Sequence, residues 1–187
     1  MELMDAIKGR RSVRNFTGAP VAKSVVMEIM KVMDYCPNAG NRNYTRAAVI
    51  TDPGIISYIG KAHTLVRQNF NRGIETSFSD AEINAAENAF HNAPAVIALF
   101  GPKNFYFSPA DAYIMAYSIT LAAYEHGVST CIVGEVLNSL ASEKGRLIQK
   151  EIGIPYDFVP QVYVTMGYCG GEYPARPPRR YSDIIFR

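Results

Sequence analysis

Pro94-Ala95-Val96-Ile97-Ala98-Leu99-Phe100-Gly101-Pro102 and, shortly after it, Ser108-Pro109-Ala110-Asp111-Ala112-Tyr113-Ile114-Met115-Ala116-Tyr117-Ser118-Ile119-Thr120-Leu121-Ala122-Ala123-Tyr124-Glu125-His126-Gly127 decide the fold class. The first is a continuous apolar run, Ala95 to Phe100, held between Pro94 and Gly101-Pro102. Without polar alternation it reads as a strand covered on both faces. The second reads as a long helix over Pro109 to His126. Ser108 is the expected N-cap, Pro109 fits the first turn and Gly127 the terminator. It is apolar on nearly all sides, which predicts burial.

Outward from these two elements the same patterns repeat. Short strands are expected at Ala47 to Thr51, Thr130 to Val133 and Val159 to Met166. Helices are expected at Glu2 to Gly9, Lys23 to Met33, Ile55 to Phe70, Asp80 to Phe90 and Ser142 to Ile152. The alternation of four short strands with five or six helices predicts an α+β fold. The tail from Cys169 to Arg187, with Gly170, Gly171 and three prolines, reads as extended.

Composition excludes several classes. The 187 residues are 48% apolar and 19% charged, with 12 Tyr and 9 Phe, the reverse of a disordered chain. Three scattered cysteines make neither a disulfide scaffold nor a Cys-rich zinc site. His63, His91 and His126 lack partners at ligand spacing, so no metal site is expected. A net charge of +2 does not imply nucleic-acid binding. No apolar run is long or clean enough to span a bilayer, no secretory signal is visible, and a cytoplasmic location is the expectation.

The placement of charge says more than its total. Lys8, Arg10, Arg11 and Arg14 lie near one end, and Arg176, Arg179, Arg180 and Arg187 at the other. Such ends are either solubilising tails or two halves of one anion site. Guanidinium forks beside the Ser12 hydroxyl suit a phosphate. Pro37-Asn38-Ala39-Gly40-Asn41 is a loop of small and amide residues. Cys131-Ile132-Val133-Gly134-Glu135 is a strand ending in glycine, where a backbone N–H can reach a ligand atom.

In order and spacing, these stretches resemble the nitroreductase family of FMN-dependent oxidoreductases. The likeness rests on Arg10 to Phe16, Pro37 to Asn41, Ala93 to Ile97, the helix from Asp111 to Gly127, Thr130 to Gly134, Gly167-Tyr168 and Arg179 to Ile184. It spans essentially the whole chain. The resemblance implies one FMN-binding domain over residues 1–187, with a mixed or antiparallel central sheet of four or five short strands and a C-terminal tail on a partner subunit. It implies a homodimer with FMN at the interface.

For individual residues the resemblance implies that Arg10, Arg11 and Ser12 hold the FMN phosphate. Arg179 joins them from the tail, with Arg176 the second candidate. Arg14 lies near the flavin pyrimidine edge. Gly134, flanked by Val133 and Glu135, offers its N–H to flavin N5. Pro37, Asn38, Ala39 and Asn41 pack on the flavin of the other subunit. The implied reaction is ping-pong hydride transfer from NADH or NADPH to a small acceptor such as a nitroaromatic or quinone, with no protein acid–base catalyst. Alternatives are a specialised branch (reductive dehalogenation or flavin fragmentation) or a non-catalytic flavin-binding module. The sequence departs from the family pattern at Asn38, at Arg42-Asn43-Tyr44-Thr45, at Ile132 and in a short Ile55 to Glu87 region, all on the acceptor side.

Overall fold

The structure, a computed structural model, describes residues 2–70, 78–178 and 185. In chain order its elements are α1 (Leu3–Gly9), α2 (Lys23–Met30), β1 (Arg46–Ile50), α3 (Pro53–Phe70), α4 (Asp80–Ala85), β2 (Ala95–Pro102), α5 (Ser108–Glu125), β3 (Ser129–Val133), α6 (Glu143–Glu151) and β4 (Phe158–Gly167). The four strands form one fully antiparallel sheet in the order β1-β2-β4-β3.

The central strands β2 and β4 are buried almost throughout, as their unbroken apolar runs predict. Their period-two geometry divides the core into two layers. Ala95, Ile97, Leu99, Val162, Val164 and Met166 pack with α5 and with Val26 and Ile29 of α2. Val96, Ala98, Phe100 and Tyr163 pack on the other side, with Ile56, Ile59 and Ala62 of α3 and Ile148 of α6. Ile97 stands opposite both Val49 and Val164, so one β2 residue is gripped from two strands.

Several boundaries differ from the sequence expectation. The helix expected to reach Met33 is α-helical only to Met30, then tightens into a 3₁₀ turn over Lys31–Tyr35. Ser108 does not cap α5; it is the helix's first residue and donates its hydroxyl to the Pro102 carbonyl (2.9 Å), while Phe107 takes the cap position. The helix expected over Asp80 to Phe90 stops at Ala85. Beyond it the chain crosses α3: Thr64 Oγ1 donates to the Glu87 carbonyl (2.7 Å), and the Ala89 N–H donates to the Gly60 carbonyl (3.3 Å). Burial of Phe90 draws the segment down, which a helical course would not allow. On α5, Tyr113, Ile114 and Tyr117 remain exposed, so the helix is not buried on every side. No helix among the described residues is long and apolar enough to cross a membrane.

The arginine-rich segment after α1 is stitched to the sheet. The Val13 N–H donates to the Thr130 carbonyl (3.0 Å), the Thr17 N–H to the Tyr168 carbonyl (3.0 Å), and the Gly170 N–H to the Asn15 carbonyl (2.8 Å). Val13 and Phe16 are the apolar anchors, packed with Ala93. Phe16→Ala is expected to cost about 3 kcal/mol by leaving a ring-sized void. Urea unfolding should show it as a lower midpoint at unchanged slope.

Candidate cofactor site

β3 ends at Val133, and the chain turns sharply there because Glu135 takes a left-handed backbone (φ 59°). A side chain on Gly134 would displace a neighbour: an ideal Cβ would sit 2.5 Å from the Tyr113 hydroxyl, the far end of a side chain that projects from α5. From α3, His63 Nε2 lies 2.8 Å from the Gly134 carbonyl oxygen. A carbonyl can only accept, so Nε2 carries the proton. Burial holds this imidazole below its ordinary pKa, helped by Arg67 and opposed by the Gly134 contact. The neutral ring stacks on Phe90 at 6.2 Å.

These groups border a cleft of about 620 Å³ between the strand end and α3. Thr64, Arg67 and Gln68 face it at three- and four-residue spacing along α3. Arg14 and His91 close another side. Burial depresses the His91 pKa, and the Arg14 and Arg67 charges press it further the same way. At the opposite end burial raises the Tyr113 pKa, and Glu135 adds to the rise. Cys131 lines the cleft with its thiol pushed up by burial, an inert wall rather than a nucleophile.

Arg14 also lines a second, smaller cleft of about 300 Å³, with Arg10, Arg11, Ser12 and Arg176. Arg11 folds back on α1: its Nη1 donates to the carbonyls of Lys8 (2.7 Å), Gly9 (3.0 Å) and Arg10 (2.7 Å), completing the helix C-terminus. Its backbone N–H donates to the Tyr173 hydroxyl at 3.0 Å. The Arg10 guanidinium lies 5.2 Å over the Tyr117 ring. Arg10 Nε and Arg11 Nε are buried donors with no acceptor among the described residues. Buried charged donors without acceptors are costly, and a phosphate has the oxygens to satisfy them. The donor set therefore fits the phosphate of FMN, with the larger cleft beyond Arg14 available for a flat ring system.

Arg10, Arg11, Ser12, Arg14, Val133, Gly134 and Glu135 thus fall on two clefts that share Arg14. Pro37, Asn38, Ala39 and Asn41 do not join them, and line neither cleft. Their loop is fastened instead to the start of α5, where Asp111 Oδ1 accepts the Ala39 N–H at 2.9 Å. Asn38 and Asn43 pair through Nδ2–Oδ1 (2.8 Å), and Asn38 Oδ1 also accepts the Asn43 N–H (3.0 Å). Arg179 lies outside the described residues; Arg176, the second tail candidate, reaches the smaller cleft. Sequence reading passed over His63, Arg67, His91 and Tyr113 as cleft residues. The one available signal was a polar stripe at residues 63, 64, 67 and 68 on an otherwise apolar helix.

Known proteins share this fold. No curated protein matches the sequence. An FMN-bound nitroreductase from Bacteroides fragilis superposes with a TM-score of 0.82 at 15% identity, covering 100% of this chain and 98% of its own. An FMN-dependent nitroreductase from Clostridium difficile gives 0.76 at 20% identity, covering 99% of each chain. Iodotyrosine deiodinase bound to FMN and 3-iodo-L-tyrosine gives 0.71 at 19% identity, covering 100% of this chain and 98% of its own. The model of the nitroreductase family matches residues 7–168, from the end of α1 to just past β4. The chain belongs to the nitroreductase family.

Proposed function

We propose that the protein is an FMN-dependent oxidoreductase that draws electrons from NADH or NADPH and delivers them to a small acceptor such as a nitroaromatic or quinone. The observation that carries this reading is the pair of buried Nε donors on Arg10 and Arg11, without acceptors among the described residues, beside a cleft that leads through Arg14 to the one lined by Gly134. FMN, when bound, would supply the hydride-transfer redox chemistry. The chain's own work is to bind and orient. Arg10, Arg11 and Ser12 hold the phosphate, with Arg176 or Arg179 closing over it. Arg14 offers a fixed cation where negative charge develops on reduction. The backbone N–H groups at Gly134 and Glu135, with Val133 beside them, would serve as donors to the flavin N5.

The functional unit in this reading is a cytoplasmic homodimer, each chain one FMN-binding domain. Leu3, Met4 and Ile7 of α1 and Tyr113, Ile114 and Tyr117 of α5 leave an apolar face in solvent. A patch of this kind favours a second copy. Pro37, Asn38, Ala39 and Asn41 then belong to the partner's flavin site. The deiodinase of the same fold defines the second reading, reductive dehalogenation, and an iodotyrosine sample belongs in the acceptor panel.

Purified protein given FMN is expected to turn yellow, with absorbance near ~450 nm arising from the flavin. Protein that stays colourless and takes up no FMN overturns the reading. Arg10→Ala combined with Arg11→Ala should weaken FMN binding about 100-fold or more, since each charged hydrogen bond contributes roughly 1.5–3 kcal/mol. Fluorescence titration measures the loss, and circular dichroism checks that the variant folds. Anaerobic mixing with NADH or NADPH should bleach the bound flavin, and nitroaromatic or quinone should restore its colour. Ile114→Glu should give a monomer in sedimentation that binds FMN poorly; an unchanged dimer would place the interface elsewhere.

A further inference from the structure

We infer that His63 is a positioning residue, whose Nε2–H holds the Gly134 carbonyl and so fixes the direction of the next backbone N–H, that of Glu135, at the edge of the cleft. The inference rests on the flavin reading for its consequence, but the hold itself lies within this chain.

A trans peptide is planar, and its C=O and N–H point in opposite directions. The Gly134 carbonyl points at His63, which is only 3% exposed, at 2.8 Å. The N–H of the same peptide plane, on Glu135, therefore points away from His63. Neither it nor the Gly134 N–H has an acceptor among the described residues. The plane also needs holding. Glu135 sits in the left-handed region at φ 59°, a strained conformation for a residue with a side chain, which persists only where neighbours over-determine it. His63 fixes the peptide on the N-terminal side of that residue. Tyr113 approaches on the same N-terminal side, its hydroxyl 2.5 Å from where a Gly134 Cβ would lie.

The imidazole is itself held in one state. Phe90 stacks on it, and Arg67 stands one turn along α3. Nδ1 is buried with no partner among the described residues, which marks the cost of choosing a ring here. A glutamine amide reaches from the backbone about as far as Nε2 and can donate to the same carbonyl. A phenylalanine keeps the stack and loses the donor. This pair separates the hydrogen bond from the packing.

The first measurement uses the cofactor-free, ¹⁵N-labelled wild-type protein. Its ring nitrogen shifts should show His63 protonated at Nε2 and bare at Nδ1. In the same state, His63→Phe should displace or broaden the Gly134 and Glu135 amide resonances, and His63→Gln should leave them near wild type. With FMN added, His63→Phe should slow anaerobic flavin reduction about tenfold, the effect of one misplaced hydrogen bond, with FMN affinity within about threefold. His63→Gln should restore the rate. A proton on Nδ1 in the wild type overturns the proposal, as do Gln and Phe variants with equal effects on amides and rate. The tautomer needs no variant and remains decisive if the Phe protein does not fold. Wild-type protein that shows the Nε2 proton yet takes no FMN overturns the flavin reading and leaves the hold standing.

Discussion

A single backbone hydrogen bond, Val13 N–H to the Thr130 carbonyl at 3.0 Å, fixes where the chemistry can be. It lies on the side of β3 that faces away from β4, so the segment after α1 serves as an irregular extra strand. Register does the rest. With Ser12 bridged to Thr130, Arg14 comes beside the residues that follow Thr130, at the end of β3. Residues more than a hundred positions apart thereby line one cleft. The segment has little apolar content of its own, so Val13 and Phe16 supply the burial that keeps the bond closed.

Held in this way, the arginines cannot all relax into solvent. Arg11 commits one end of its guanidinium to the α1 carbonyls, Arg10 stacks on Tyr117, and among the described residues both Nε donors are left inside without acceptors. The described salt bridge of the chain lies elsewhere, between Lys31 and Glu28 on the surface. An unpaired, partly buried cation is destabilising by itself. A ligand that brings oxygens to these donors binds and also relieves the fold. Affinity for such a ligand and stability of the N-terminal segment are therefore linked quantities.

The elements were legible in the sequence wherever one period dominated. The apolar runs of β2 and β4 and the cap-to-glycine span of α5 announced themselves. Boundaries failed where tertiary bonds overrode local preference, as at Ala85, where Phe90 is drawn into the core, and at Ser108, whose hydroxyl is taken by Pro102. In the site, the arginines and the strand-end glycine could be named because their chemistry is carried by residue type and spacing. His63 could not. Its importance comes from a carbonyl 71 positions away, and a histidine on an apolar helix face reads as core until the partner is known. Tyr113 is similar: only its approach to Gly134 gives it a place in the cleft.

The loop from Pro37 to Asn41 poses the complementary problem. It is held by Asp111, by the Asn38–Asn43 pair and by left-handed backbone at Gly40, Asn41 and Asn43, with φ of 62°, 52° and 52°. Two of those three residues carry side chains, so the conformation costs free energy. The loop lines neither of the two clefts that hold the arginines and Gly134. The start of α5 fixes the loop, and the following turns of α5 carry the exposed Tyr113, Ile114 and Tyr117. A second copy docked on those turns would meet a loop already in its bound form, and would lose little further entropy in accepting it. In the proposed dimer, then, α5 is the shared spine: its Asp111 shapes what is offered to the partner, and its Tyr113 shapes what is kept.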